Sequence, residues 1–404
     1  MPDEYLTLDL EGGEALVKAE SLDQLRRVGA VVFDCDGVLI DVRGSYNRAV
    51  SRSVAYIFEA LTGCSVPEVL ISDEVIYLFR RSGGFNDDWD TVYGVLMFML
   101  CDLPENARFE LEKRIEEIGI QPDPLRRISA IREAAGSRGG EELGDEFLEG
   151  SIERLKEFTQ FLDETGVGSV DLNLAEAGEE AGGLPDFVKR LRCFLCYPGG
   201  VGEGIIGTVF EELFCGSALF RDAYGLEPRF HEGPGLIERE RSIIRAETLD
   251  ELAPLIGGAH FGVASGSRLA PARYILKELL ERFHPEAAIF LDQVQRAERE
   301  RSEETGAIAN LRKPNPFSLL KAVEALNPPG EVLFVGDSMA DAMTVREANM
   351  TDARFVFAGV YGHSHPRDVH IRDFIEFGCD VVMPSANDLP AVLEWLRRGK
   401  ARCG

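Results

Sequence analysis

Residues 34–41 read DCDGVLID and directly follow the apolar run AVVF at 30–33. The run predicts a short buried strand, and the carboxyl end of such a strand is where open α/β sheets bind their ligands. Gly37 permits a sharp turn at that point. One of the two carboxylates, Asp34 or Asp36, can then bind a cation and attack an electrophile while the other carries a proton. Alone, the pattern also fits a helix cap, a Mg²⁺ site or a sugar-nucleotide site.

Three later segments also place polar residues at the end of an apolar run or before a helix start. They are GVASGSR at 262–268, RKPNP at 312–316 and VLFVGDSMAD at 332–341. In the first, the apolar run is followed by a small hydroxyl and a glycine, Ser265 and Gly266. The second supplies an isolated lysine, and the third ends in two spaced acids. Four such elements in this order resemble the haloacid dehalogenase superfamily, the aspartate-nucleophile phosphohydrolases. The resemblance covers residues 28–43 and 246–404.

The resemblance implies a role for each polar residue. Asp34 is the expected nucleophile, which can attack phosphorus once Mg²⁺ cancels the repulsion between the two anions. Asp36 is the expected general acid, and its backbone carbonyl also binds the metal. Ser265, with the amide of Gly266, is expected to bind phosphate oxygens, a role compatible with an N-cap. Lys313 is expected to neutralise the phosphate and restrain Asp34.

Two further acids complete the predicted metal site. Mg²⁺ prefers octahedral oxygen ligands, keeps several waters and uses few carboxylates. Asp337 is expected to supply the remaining carboxylate beside Asp34 and Asp36. Asp341 is expected to orient a metal-bound water or hold the loop; the alternative is a first-turn acid of the following helix. Mg²⁺ is therefore the expected cofactor.

A long insertion separates the first motif from the others. Its periodicity is mainly helical, with amphipathic stretches at 46–61, 109–118 and 152–162. It stands where type-I members of the superfamily carry a cap domain. The resemblance therefore implies a subfamily IA-like enzyme with a large, mainly helical cap at 44–245.

The rest of the chain predicts an α/β core. The fold class expected for 1–43 and 246–404 is a doubly wound parallel sheet, a Rossmannoid core typical of the superfamily. Residues 1–27 are predicted to form a strand-like lead-in and a short helix. The later strands are predicted at 260–264, 288–291, 332–335, 354–358 and 381–383.

Within the insertion, the stretch GGFNDDWD at 83–90 is the most distinctive patch. Asn86, Asp88 and Trp89 could hydrogen-bond and stack on a polar ligand and so select the substrate. A tight loop with the tryptophan as a packing anchor is the alternative. The patch also resembles a subgroup of the superfamily found in archaea and cyanobacteria. Outside the insertion, Arg268 is either a substrate contact or part of a solvated helix.

Composition excludes several classes of partner. The formal net charge of −27 argues against nucleic acid and against an anionic membrane surface. No apolar run is long enough for a transmembrane helix, and residues 1–20 lack the apolar core of a signal peptide. Cys193 and Cys196 form a lone C-x-x-C, for which reduced thiols are a simpler interpretation than zinc or redox chemistry. A cytoplasmic location is expected, and the oligomeric state is left open.

These observations together predict a Mg²⁺-dependent phosphatase. The expected substrate is a small phosphorylated metabolite, hydrolysed through an aspartyl-phosphate. A phosphomutase would use the same Asp34 and Asp36 and is the first alternative. A non-catalytic protein that binds a phosphate ligand is the second. A dehalogenase is disfavoured because it does not need the second acid.

Overall fold

The computed structural model describes most of the chain, namely residues 4–85, 87–119, 123–136, 143–177, 184–363 and 367–398. The chain divides into two compact units. Unit 1 consists of Met1–Arg43 and Glu240–Gly404, and unit 2 consists of Gly44–Arg239. In the described part of the chain, no helix combines the length and the apolar character needed to cross a bilayer.

All strands lie in unit 1, as far as the described residues go. They are β1 (Tyr5–Leu10), β2 (Gly13–Lys18), β3 (Val28–Phe33), β4 (Ile40–Asp41), β5 (Arg241–Ser242), β6 (Phe261–Ala264), β7 (Ala288–Ile289), β8 (Glu331–Gly336), β9 (Phe355–Val360) and β10 (Val381–Met383). One sheet has the order β1-β2-β10-β9-β8-β3-β6-β7, and β4 pairs with β5 in a second, small sheet.

The helices of unit 2 follow one another between β4 and β5, whereas those of unit 1 alternate with strands. In chain order they are α1 (Leu22–Leu25), α2 (Tyr46–Thr62), α3 (Asp73–Arg81), α4 (Asp88–Cys101), α5 (Glu105–Ile118), α6 (Pro124–Gly136), α7 (Asp145–Phe158), α8 (Val167–Ala177), α9 (Leu184–Leu195), α10 (Ile205–Tyr224), α11 (Ala246–Ile256), α12 (Leu269–Leu276), α13 (Leu291–Thr305), α14 (Phe317–Leu326), α15 (Met339–Asn349), α16 (Arg367–Phe377) and α17 (Leu389–Arg398).

The large sheet is covered on both faces. Strand β3 is buried along its whole length, and its alternate side chains enter two separate apolar clusters. Val31 and Phe33 pack with residues of α11, α12 and α17, whereas Ala30 and Val32 pack with residues of α14, α15 and α16. Because successive side chains of a strand point to opposite faces, helices cover both sides. The predicted fold class, a doubly wound α/β sheet with a large helical insertion, is confirmed.

Two details of unit 1 differ from the sequence-based expectation. The lead-in forms an antiparallel hairpin, β1 and β2, and β2 pairs antiparallel with β10, so the edge of the sheet is mixed. Strand β7 ends at Ile289, and Leu291 instead begins α13. A short apolar run does not distinguish the end of a strand from the start of a helix, and here the helix follows after one residue.

Strands β4 and β5 join the two chain segments of unit 1. Ile40 lies opposite Ser242 and Asp41 opposite Arg241 in an antiparallel pair. Residues 240–245, which the sequence pattern places in the insertion, therefore belong with unit 1. The assignment of unit 1 as the catalytic core and of unit 2 as the cap remains a prediction.

Helix α10 contains a buried acid, Glu212, that accepts several backbone hydrogen bonds. The Glu212 carboxylate is fully buried and accepts hydrogen bonds from the backbone amides of Arg229, Phe230 and His231, at distances of 2.6–3.0 Å. These donors belong to the irregular segment that follows α10. A buried carboxylate with this many donors is well compensated, so Glu212 fixes that segment against the helix.

Candidate active site

Asp34 lies at the carboxyl edge of the large sheet, after an interior strand. It follows β3, which is flanked by the parallel strands β8 and β6. Its backbone amide donates to the Val335 carbonyl at 2.8 Å, which extends the ladder between β3 and β8 by one residue. The residue is 7% exposed. Parallel strands thus fix the position of the predicted nucleophile.

The sheet brings two of the other predicted acids to the same place. Asp34, Asp337 and Asp341 each offer a carboxylate oxygen, and these oxygens lie within 4.8 Å of one another. Asp337 directly follows β8. Asp341 is 1% exposed in the first turn of α15, where its Oδ2 accepts from the hydroxyl and the amide of Ser338 at 2.7 and 3.2 Å. Asp341 is therefore both a helix-capping acid and a member of the cluster.

Lys313 bridges two of these carboxylates. Its Nζ donates to Asp34 Oδ1 at 2.7 Å and to Asp341 Oδ1 at 2.6 Å. Nζ also lies 5.0 Å from the centre of the Phe334 ring. Burial by itself would lower the pKa of Lys313, but the two carboxylates outweigh it and raise the pKa above the ordinary lysine value. The ammonium is therefore a fixed positive charge beside the predicted nucleophile.

The acids of the cluster carry more negative charge than Lys313 can balance. Burial raises the pKa of Asp34 to about 6; Lys313 opposes this shift and Asp341 adds to it. Burial, followed by repulsion from Asp341 and Asp34, raises the pKa of Asp337 well above its ordinary value. Desolvated carboxylates at this spacing suit a hard divalent cation, which would supply the missing positive charge. The donor set therefore fits Mg²⁺.

Gly37 allows Asp337 to approach the loop that follows β3. Its φ is +72°, and a Cβ atom at this position would lie 2.0 Å from Asp337 Oδ2. A side chain would thus meet both an unfavourable backbone conformation and a direct clash. The turn predicted at this glycine is present, and its absent side chain makes room for a carboxylate of the cluster.

The loop after β6 carries the predicted phosphate-binding residues. Ser265 is buried; its amide donates to the Ile289 carbonyl at 3.0 Å, and its Oγ accepts from the Ser267 amide at 3.1 Å. Gly266 is exposed, and no heavy atom beyond its chain neighbours lies within 4 Å of the point where a Cβ would stand. The loop therefore leaves open space beside Gly266, and the Ser267 amide holds the Ser265 hydroxyl.

Asp36 is half-buried and contacts a residue that sequence reasoning missed. Its Oδ2 accepts a hydrogen bond from Ser267 Oγ at 2.5 Å. The signal in the sequence was the second serine of the SGS triplet at 265–267, directly after the residues assigned to phosphate binding. Its partner became visible only once β3 and β6 were known to be neighbours.

Arg268 is held by helix α13. Its Nη1 donates to Asp292 Oδ1 at 3.2 Å and to Gln295 Oε1 at 3.4 Å. The other Asp292 oxygen accepts from the Leu269 amide at 2.9 Å at the start of α12. Arg268 thus has a structural role next to the phosphate loop, and its predicted contact with a substrate remains a prediction.

The residues predicted to select the substrate lie in unit 2. Asp88 forms an ion pair with Arg80, at 2.7 Å between Nη2 and Oδ1. Trp89 is partly buried, and its Nε1 donates to Glu211 Oε1 at 3.3 Å, which connects α4 with α10. Asn86 lies outside the described residues. Trp89 therefore has the contacts of a packing anchor, while a role of this patch in substrate choice remains a prediction.

The fold and the acidic cluster define an α/β protein with an aspartate-based site at the carboxyl edge of its sheet. Residues 232–349 match the family model of the haloacid dehalogenase-like hydrolases. This segment contains Ser265, Lys313, Asp337 and Asp341, and the sheet places Asp34, which lies outside the match, beside them. The matched segment is therefore similar to the haloacid dehalogenase-like hydrolases, and this similarity supports an enzyme of hydrolase type.

One solved structure extends the likeness in fold over nearly the whole chain. The X-ray structure of a target of the Northeast Structural Genomics Consortium is 19% identical, with a TM-score of 0.64 over 92% of this chain and 100% of that chain. It shows a shared fold. A phosphonoacetaldehyde hydrolase-like protein from Oleispira antarctica is 14% identical, with a TM-score of 0.36 over 94% of this chain and 95% of that chain, and adds nothing to the assignment. None of the curated proteins matches.

Proposed function

We propose that this protein is a Mg²⁺-dependent phosphatase that hydrolyses a small phosphorylated metabolite through an aspartyl-phosphate. The observation that carries the proposal is the environment of Asp34. This buried carboxylate ends the central strand, contacts Lys313 Nζ at 2.7 Å and shares a cluster with two further acids. A nucleophile needs a fixed position and nearby positive charge to approach an anionic phosphate, and both are provided here.

The metal would be held by Asp34, Asp337 and the backbone carbonyl of Asp36, with Asp341 beside them. When bound, Mg²⁺ supplies positive charge against the phosphate and the carboxylates. Lys313 adds a second, permanent charge. Its bonds to Asp34 and Asp341 also hold both carboxylates in place, so less orientation remains to be achieved when the substrate binds.

Two carboxylates divide the chemistry. A carboxylate oxygen of Asp34 attacks phosphorus and forms an acyl-phosphate while the bond to the ester oxygen breaks. Asp36 donates its proton to that oxygen, so an alcohol leaves. The Asp36 carboxylate then takes a proton from water, which attacks the acyl-phosphate and releases orthophosphate and the Asp34 carboxylate. Ser265 and the amide of Gly266 bind the phosphate oxygens.

The proposal is tested by screening phosphorylated metabolites for release of orthophosphate with Mg²⁺ present. Asp34→Asn is expected to lower kcat by at least roughly 10³-fold while the protein stays folded, because an amide cannot form the acyl-phosphate. The exposed Asp23 provides a matched control, since Asp23→Asn removes a carboxylate from the same unit away from the site. Its activity is expected to equal that of the wild type.

Three results would contradict the proposal. More than a few per cent of activity in well-folded Asp34→Asn would show that Asp34 is not the nucleophile. Accumulation of a rearranged phosphate ester in place of orthophosphate would identify a phosphomutase. Binding of Mg²⁺ and phosphate esters with no turnover of any ester would identify a non-catalytic binding protein.

A further inference from the structure

A hydrogen bond connects the proposed general acid to the neighbouring strand of the sheet. Ser267 Oγ donates to Asp36 Oδ2 at 2.5 Å, and Ser267 is 9% exposed. The two residues come from the loops after β6 and β3, which pair in parallel with Phe33 opposite Val263. The contact is thus a direct result of strand register.

The backbone of Ser267 is held on both sides. Its amide donates to Ser265 Oγ at 3.1 Å, and its carbonyl accepts from the Leu291 amide at 2.9 Å, at the start of α13. Both partners belong to regular or buried parts of unit 1. The backbone position of Ser267 is therefore set by the fold before any substrate arrives.

The backbone around Asp36 is equally well held. The Cys35 carbonyl accepts from the amides of Leu39 and Ile40 at 2.8 and 2.9 Å, and the Gly37 amide donates to the Ile40 carbonyl at 2.8 Å. A tight turn thus fixes Cα of Asp36 but not the rotation of its carboxyl group. A short hydrogen bond from a buried hydroxyl to one carboxyl oxygen restricts that rotation.

We propose that Ser267 is a positioning residue that orients Asp36 for proton transfer to the leaving group. The proposal rests on the proposed phosphatase activity and on the role of Asp36 in it. The bond from Ser267 restricts the rotation of the Asp36 carboxyl group, which donates the proton to the ester oxygen. General acids act only at hydrogen-bond reach of the atom they protonate, so loss of this orientation slows the step that depends on the proton.

The proposal also identifies the class of substrate. A proton donor held this firmly matters for esters of alcohols, whose alkoxides leave poorly, and matters little for activated aryl esters, whose phenolates leave unaided. The substrates for which Ser267 is needed are therefore alkyl phosphates, such as phosphorylated polyols or sugars. Formation of the acyl-phosphate from an aryl ester such as p-nitrophenyl phosphate needs no proton from Asp36, and kcat/KM reports this first step.

The test compares Ser267→Ala and Ser267→Thr on an alkyl phosphate and on p-nitrophenyl phosphate. For Ser267→Ala we expect kcat/KM to fall by about 30-fold or more on the alkyl ester and by no more than about 3-fold on the aryl ester. Ser267→Thr retains the hydroxyl and is expected to keep kcat/KM on both esters within about 3-fold. If the threonine variant does not fold, the contrast between the two esters in Ser267→Ala decides alone.

A double-mutant cycle separates this role from simple support of the phosphate loop. In the Asp36→Asn background, Ser267→Ala is expected to cause no further loss on the alkyl ester, because the group it orients no longer donates a proton. An equal loss on both esters, or a full additional loss in the Asp36→Asn background, would overturn the proposal and make Ser267 a loop-supporting residue.

The controls keep two failures apart. If Asp34→Asn retains turnover, or if Asp36→Asn lowers kcat/KM of both esters equally, the proposed function itself fails. If those variants behave as expected while Ser267→Ala affects both esters equally, only the role of Ser267 is wrong.

Discussion

The loop after β3 has no room for a side chain at residue 37. Gly37→Ala would combine the strain of a left-handed φ with a contact of 2.0 Å between Cβ and Asp337 Oδ2. We expect kcat to fall by about 100-fold or more, because Asp337 has to move out of the cluster. Phosphate release is the measurement, accompanied by titration of Mg²⁺ affinity, which is expected to weaken.

Gly257→Ala is the matched control for this prediction. Gly257 also has a left-handed φ, +85°, but no heavy atom lies within 4 Å of its Cβ position. The substitution should lower the free energy of unfolding by about 1 kcal/mol and leave kcat unchanged. A Gly37→Ala variant with unchanged kcat would show that Asp337 need not occupy the observed position.

The raised pKa of Asp34 predicts how stability depends on pH. Burial raises this pKa from the usual 3.8 to about 6. The folded metal-free protein then retains a proton that the unfolded chain releases, so the stability contributed by this group is present below about pH 4 and is lost as pH rises through about 6. Because the pKa of Asp337 is also raised, the loss of stability continues at higher pH. Metal binding requires the ionised carboxylates, so stabilisation by Mg²⁺ should grow over the same range.

The measurement is the melting temperature in Mg²⁺ and in excess chelator, at about pH 5 and about pH 7.5. The difference between the two melting temperatures should be larger at the higher pH by several degrees. Asp34→Asn should reduce this pH dependence. An equal difference at both pH values would argue that the cluster does not bind the ion through titrating carboxylates.

The residues of the four sequence motifs could be predicted from the sequence, but only some of their contacts could. The pairing of Lys313 with Asp34 was expected from the family resemblance and is present at 2.7 Å. The contact between Ser267 and Asp36 was not expected, because it depends on the register of two strands separated by more than 200 residues. Spacing along the chain carries no information about such a register.

At the scale of elements, the packing of the segment after α10 against that helix depends on a single buried carboxylate, Glu212. Glu212→Ala removes the buried acceptor of three backbone amides in the segment that follows α10. We expect the free energy of unfolding to fall by about 3 kcal/mol, the amount typical of charged hydrogen bonds and stranded donors. Chemical denaturation measures it.

Glu227→Ala is the control for α10. Glu227 is exposed and forms an ion pair with Arg221 in the same unit. Surface ion pairs contribute little, so this variant should unfold like the wild type. If Glu212→Ala were no less stable than Glu227→Ala, the segment after α10 would not depend on the carboxylate.

Elements with a clear period were predictable, whereas those defined by their partners were not. The helical stretch at 46–61 corresponds to α2, and the strand at 381–383 to β10. The hairpin of β1 and β2 was anticipated only as a lead-in, because its pairing with β10 joins the two ends of the chain. The two-residue strand β5 has no period at all and exists only because β4 lies opposite.

At the scale of the whole molecule, the net charge of −27 opposes the approach of a phosphate ester. Salt shortens the reach of this repulsion, since the Debye length falls from about 30 Å at 0.01 M to about 8 Å at 0.15 M. We expect kcat/KM to rise by about 2–5-fold between these ionic strengths at fixed free Mg²⁺, with kcat unchanged. Steady-state kinetics with p-nitrophenyl phosphate measure this, and a clear fall in kcat/KM would show that local positive charge dominates the approach.

The division of the molecule into a sheet and a helical insertion was predictable because periodicity changes after the first motif. The residue at which the chain returns to unit 1 was not predictable, since residues 240–245 have neither a strong period nor a motif. What decides their place is hydrogen bonding to the segment just before residue 43. The physical cause lies in a contact across some 200 residues of chain, which local sequence does not encode.

The pairing of β4 with β5 has a consequence for the history of this protein. Ile40 and Ser242 are cross-strand neighbours, and such Cα atoms are about 5 Å apart. A segment inserted between β4 and β5 therefore starts and ends at nearly the same point. Its length can change during evolution without a break in the strands of the sheet or a change in its aspartates.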